Sequence, residues 1–99
     1  MNKMVIVMTA KGGKAREAIA AAKALVEYNR AKHGIKSEVY MQALGGTLGT
    51  IYIIGEQNDA ASAQAAQAKI MADEGYWALA LKLVDVIADP PTMVFLQPV

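Results

Sequence analysis

The chain contains no cysteine. Disulfides therefore cannot staple it, and thiol catalysis and cysteine-ligated zinc are excluded. A reducing compartment, the cytoplasm, is the expected setting. Histidine occurs once, as His33. One histidine makes no strong transition-metal site, and no Ser-His-Asp set is evident. Long apolar runs are missing too. Nothing approaches the length of a membrane span, and the apolar run ahead of Lys11 is too short for a signal peptide. Net charge is only +1, so no global pull toward nucleic acid or anionic lipid is expected.

What the chain has in surplus is apolar surface. Its 99 residues make one domain, 1–99, and 55% of them are hydrophobic. So short a chain buries a smaller share of its surface than a large one, so the surplus needs somewhere to go. The charge it carries is unevenly spread. Residues 1–36 hold eight Lys and Arg against Glu17 and Glu27, whereas residues 37–99 hold two Lys against seven acids. This reads as a basic exposed helix with acidic loops, or else as complementary contact between subunits.

Periodicity divides the chain into seven elements. Residues 4–9 form a continuous apolar run, as in a strand covered on both faces, and Lys11-Gly12-Gly13 breaks it. From Lys14, Ala15, Ala18, Ile19, Ala22, Leu25 and Val26 recur at helical spacing, and Gly34 is the expected C-terminal cap. Residues 36–43 alternate, with Val39, Met41 and Ala43 opposite in phase to Glu38, Tyr40 and Gln42. Glycines at 45, 46 and 49 turn the chain into a β-branched and aromatic return strand, 50–55. Asn58 or Asp59 caps an alanine-rich helix from Ala60 to Ala72. Asp73-Glu74-Gly75 interrupts it, and a second helix follows from about Tyr76 to Ala88. That helix is apolar almost all round, which implies burial on more than one side. Pro90-Pro91 stops it, and residues 92–97 form the last strand.

The order β-α-β-β-α-α-β, with right-handed crossovers, gives an α+β, ferredoxin-like four-stranded antiparallel sheet with helices on one face. The other face would meet water in a monomer and should then be polar. Yet the first, third and last strands do not alternate. Val5, Val7, Ile51, Ile53, Met93 and Phe95 are apolar, and so are the residues between them. Covering six such side chains is worth on the order of 10 kcal/mol as an upper estimate, at ~1.5–3 kcal/mol each. A second copy of the same sheet is the simplest cover, so a homodimer through the open sheet face is expected.

With Gly13-Lys14 and Glu17-Ala18 opening the first helix, Gly46 and Gly49 around the hairpin and Asp73-Glu74-Gly75-Tyr76 at the helical break, the chain resembles the dimeric α/β-barrel superfamily. It is most similar to its NIPSNAP-like group, then to its antibiotic-biosynthesis-monooxygenase-like group. The resemblance implies two sheets facing each other as a barrel. It also implies an activity drawn from a wide range, including cofactor-free oxygenases, haem-degrading enzymes, isomerases and proteins of unknown function, so that fold does not dictate reaction. Haem-degrading relatives pair a helical histidine with a tryptophan and an asparagine on the first strand; here Asn2 is expected to precede that strand, so haem chemistry is not expected.

The remaining candidates concern small ligands. Lys11-Gly12-Gly13-Lys14-Ala15-Arg16 enters a helix and reads as a plain turn or as an anion site; it lacks the spacing of a nucleotide-binding loop. Glu38, Tyr40 and Gln42 share a strand face, Tyr52 lies across the hairpin, and Tyr76 and Trp77 are placed to close over the group. Together they would line a pocket with polar handles in an apolar wall; an exposed edge face and tightly packed alanines are the plainer reading. His33 is a surface capping residue or a base. The expectation is a barrel protein that binds a small apolar metabolite. If it is an enzyme, it is a cofactor-independent monooxygenase or isomerase in which His33, Tyr40, Tyr52 and Trp77 orient substrate or move protons. The alternative is a non-catalytic homodimeric interaction module. No cofactor, metal, nucleic acid or membrane partner is called for.

Overall fold

The computed structural model describes residues 2–46 and 48–99. Thr47, inside the sequence-predicted turn, and Met1 lie outside the described residues. The elements run β1 (Asn2–Thr9), α1 (Ala15–His33), β2 (Ser37–Met41), β3 (Thr50–Gln57), α2 (Ala60–Met71), α3 (Glu74–Val84) and β4 (Thr92–Leu96). The four strands form one antiparallel sheet in the order β2-β3-β1-β4. This is the ferredoxin-like α+β arrangement that the element order predicts.

Register decides which side chains share a face. Ile6 lies opposite Ile53 and Met93, and Ile53 opposite Val39. This row, with Met8 and Ile51, faces the helices and forms the core with Ala18, Ala22, Leu25 and Leu83. Ala18, Ala22 and Leu25 fall at i, i+4 and i+7 of α1. The two alanines, fully buried, let the helix axis come close to the sheet. Val5 lies opposite Ile54 and Val94, Val7 opposite Tyr52, and Tyr52 opposite Tyr40. By the two-residue alternation of strands these occupy the other, open face.

Caps set the helix ends. Gly34 ends α1 in the left-handed conformation, φ 67°, as its sequence position predicts. Asp59, not Asn58, caps α2, accepting the amide of Ser62 at 2.7 Å. The break before α3 falls at Ala72 and Asp73. Glu74 and Gly75 are already helical, and Asp73 accepts the Gly75 amide at 2.8 Å.

Three expectations need correction. Asn2 is the first residue of β1 rather than preceding it, and its Nδ2 donates to the Asn58 carbonyl at 2.9 Å. The last helix ends at Val84, not Ala88. Lys11 N donates to Val86 O and Ala88 N to Thr9 O, so residues 86–88 extend along the end of β1 instead of coiling. Finally, α3 is buried on one side only. Leu83 is in the core, but Trp77, Leu81 and Val84 form an exposed stripe at i, i+4 and i+7. Among the described residues, no helix is long and apolar enough to cross a membrane.

Candidate functional site

Between the sheet and the helices lies a cavity of about 120 Å³. Its floor is the helix-side face of the sheet, chiefly Met4, Ile6, Met8 and Ile53, and its walls come from all three helices. It exists because α2 presents alanines: Ala63 and Ala66 line it where larger residues would fill the space. Gly55 opens the floor further, and a Cβ there would meet the Lys36 carbonyl oxygen at 3.1 Å. The polar lining is sparse: Asn29 of α1, Ser37, Gln57, Gln67 and Tyr76. No Lys, Arg, His, Asp or Glu among the described residues lines it. Asn29 carries a buried Oδ1 that accepts no hydrogen bond. Among the described lining residues Tyr76 alone has an ionisable side chain, and burial raises its pKa above the ordinary 10.0.

The elbow between α2 and α3 is braced from both sides. Tyr28 of α1 donates its hydroxyl to both carboxylate oxygens of Asp73, at 2.9 and 3.0 Å, and His33 Nε2 lies 2.8 Å from Asp73 Oδ2. The side chains of His33 and Asp73 are nearly buried, at 12% and 11% exposure. Burial alone would raise the Asp73 pKa. The bonds from Tyr28 and His33 and from the Gly75 and Tyr76 amides outweigh it, and hold the carboxyl below its ordinary 3.8. A carboxylate only accepts, so Nε2 of His33 carries the hydrogen. The same bond to Asp73, with burial, raises Tyr28 above the usual tyrosine value. On the other side, Trp77 Nε1 donates to the Met71 carbonyl at 2.9 Å, and its ring stands edge-on to Tyr76 at 5.5 Å.

The four candidate residues thus occupy two regions. His33 and Trp77 flank the elbow, His33 through Asp73 and Trp77 through Tyr76. Tyr40 and Tyr52 sit side by side on the open sheet face, where Tyr40 donates to Glu38 at 2.8 Å and Tyr52 to Gln42 at 2.7 Å. The bond to Glu38, and the charge of that carboxylate, raise the Tyr40 pKa. Tyr76, which lines the cavity on the helix side, and Trp77 behind it do not close over this pair, because the sheet stands between. Sequence periodicity does not single out Tyr28, and although Asn29 continues the buried Ala18, Ala22 and Leu25 stripe of α1, its polar side chain does not mark it as part of that face. Asp73 was visible as part of a motif, but its role as a shared acceptor was not.

The open face has an apolar centre and a polar end. Val94 and Leu96 are 40% and 50% exposed, whereas Val5 is shielded by its neighbours to 8%. At the polar end Lys3 bonds Glu56 at 3.2 Å, beside Lys36 and Glu38. At the start of α1, Lys14 occupies the cap position and makes no side-chain cap bond.

No protein-family model matches the chain, and no curated protein sequence does. Solved structures match its fold over nearly the whole length. An uncharacterised NIPSNAP domain protein from Burkholderia xenovorans superposes with a TM-score of 0.82 at 18% identity, covering 100% of this chain and 95% of that one. A crystal structure of an antibiotic biosynthesis monooxygenase gives 0.73 at 18% identity, covering 100% and 99%. A dimeric protein of unknown function with a ferredoxin-like fold, from Bacteroides fragilis, gives 0.71 at 15% identity, covering 97% and 94%. At such identities the likeness establishes the fold.

Proposed function

We propose that this chain binds a small apolar molecule in the cavity between its sheet and helices, and that it does so as one half of a homodimer joined through the open sheet faces. The observation that carries the binding half is the cavity itself, walled by apolar side chains with a few polar groups, the general form of a small-molecule site. The dimer half is supported by the apolar centre of the open face and by a fold neighbour described as dimeric. In such a dimer Tyr40 and Tyr52 face the partner sheet, while His33 and Trp77 hold the elbow that carries Tyr76. If the bound molecule is a substrate, for an oxygenase or an isomerase, Tyr76 is the proton-transfer group at hand. It is protonated at neutral pH, and burial raises its pKa further, so it can give a proton or a hydrogen bond but not act as a base there.

The test uses methionine methyl groups. Met4, Met8 and Met93 line the cavity and Met41 and Met71 do not. With methyl-labelled methionine, titration with toluene should shift the resonances of the first three and leave the other two in place. Undisturbed Met4, Met8 and Met93 resonances would remove the binding half. Sedimentation at micromolar concentration as a folded single chain would remove the dimer half.

A further inference from the structure

The stripe of α2 that faces the sheet carries no large apolar side chain at its N-terminal end. Ala60, Ala63, Gln64 and Gln67 stand at i, i+3, i+4 and i+7, so they share one side of the helix. Below them, on the helix side of the sheet, Met93 lies opposite Ile6 and Phe95 opposite Met4. A helix packed on this apolar strip would set branched or aromatic side chains into it. Instead α2 buries only Ala63 and Ile70, and it packs chiefly on α1, α3 and β3 rather than on β4. A groove of about 190 Å³ is left between α2 and β4. Met93 shows the result: it faces the helices and is still 45% exposed. A second copy docked on the open face would not cover it, because the sheet lies between.

The groove is continuous with the cavity, since Met4, Ala63, Gln67 and Met93 line both. Ala60, Gln64 and Phe95 line the groove alone, and Met8 and Tyr76 the cavity alone. The cavity by itself, about 120 Å³, is near the roughly 150 Å³ of engineered apolar cavities that hold one benzene ring. A single ring therefore fills the inner space, and anything attached to it has the groove to run along, over Met93 and Phe95.

We infer that the ligand is elongated: its inner end, a ring or chain, sits in the cavity, and a further apolar stretch lies in the groove between α2 and β4, taking Met93 and Phe95 out of water. The inference deepens the proposed function and rests on the cavity being a binding site. Ala60 is then a specificity residue that sets how long a ligand the chain accepts, because it lies past the stretch that cavity and groove share.

The experiment titrates the full chain with benzyl alcohol, 3-phenyl-1-propanol and 5-phenyl-1-pentanol, which carry one ring on a lengthening chain. Met8 methyl resonances report the cavity. The ring of Phe95 reports the groove, and its signals are unambiguous because the chain has one phenylalanine. Benzyl alcohol should shift Met8 and leave Phe95 in place, whereas 5-phenyl-1-pentanol should shift both. Each methylene that leaves water is worth up to about fourfold in affinity, so 5-phenyl-1-pentanol should bind at least about tenfold tighter than benzyl alcohol. Ala60→Trp, at the exposed first residue of α2, should bring that ratio close to one. The Phe95 readout in the unaltered chain holds even if the variant folds poorly. A stationary Phe95 with 5-phenyl-1-pentanol while Met8 moves, or an equal ratio in parent and variant, would overturn the elongated ligand and leave the cavity as a binding site. Loss of self-association in a folded Ala60→Trp chain would also overturn it, by assigning the groove to a second copy. If none of the three alcohols moves Met8, the binding reading itself fails and this inference goes with it.

Discussion

Tyr28 occupies the space that a side chain on Gly75 would need. A Cβ at Gly75 would lie 2.2 Å from the Tyr28 hydroxyl oxygen and 2.8 Å from Cζ. The lack of a side chain in the first turn of α3 is what lets α1 reach across to Asp73. The contact joins two elements 45 residues apart in sequence, and places Tyr76 over the cavity.

Gly75→Ala should therefore destabilise the fold by about 1–3 kcal/mol, the cost of forcing an extra methyl into an occupied site, even though alanine is the better helix former. In a Tyr28→Phe background the nearest clashing atom is gone, so the same substitution should cost less. A double-mutant cycle in urea checks this. Additive costs would mean that the two residues do not share the space.

The bonds to Asp73 should be visible in acid. Its carboxyl ionises more readily in the folded chain than at its ordinary value of 3.8. Near that value the unfolded chain binds more protons, so stability rises with pH there. The contribution is fully present above 3.8 and is lost as pH falls through the folded value. Asp59, bonded to the Ser62 amide, acts in the same direction. Asp73→Asn should flatten the acid limb of a plot of stability against pH, measured by circular dichroism. An unchanged limb would mean that Asp73 is not the group responsible.

Neighbouring isoleucines of β3 should behave differently because they face opposite ways. Ile51 is fully buried against the helices, so Ile51→Ala should cost about 2–5 kcal/mol. Ile54, on the open face, should cost less in a single folded chain, but Ile54→Asp should weaken self-association at least tenfold by placing an unpaired charge in the joined faces. Thermal melts of Ile51→Ala and Ile54→Ala and sedimentation of Ile54→Asp give the two readings. Similar melting losses from Ile51→Ala and Ile54→Ala, compared in a background where the chain sediments as a monomer, would contradict the face assignment.

Local rules made much of the fold legible in the sequence. Helical spacing located α1, and Gly34 capped it, because only a residue free of Cβ strain enters the left-handed region easily. Two-residue alternation and glycines at 45, 46 and 49 located the hairpin. Where sequence reasoning missed, the deciding contact was non-local. The last helix stopped at Val84 because Thr9 and Lys11 bond the backbone at 86 and 88, and the sequence around 84–88 contains no sign of that pairing.

The candidate site divides the same way. Composition alone determined that cysteine chemistry is excluded and that apolar surface is in excess, because those are counts of atoms and not of positions. Periodicity determined the elements, because it reflects the pitch of each one. Only the tertiary structure decided which apolar residues face the helices and which face outward, since strand register sets that across the sheet. It alone placed Tyr40 and Tyr52 on one side and Tyr76 on the other. It also left Asn29 Oδ1 buried without a partner: burial and hydrogen bonding belong to the packed chain, and no window of sequence contains them.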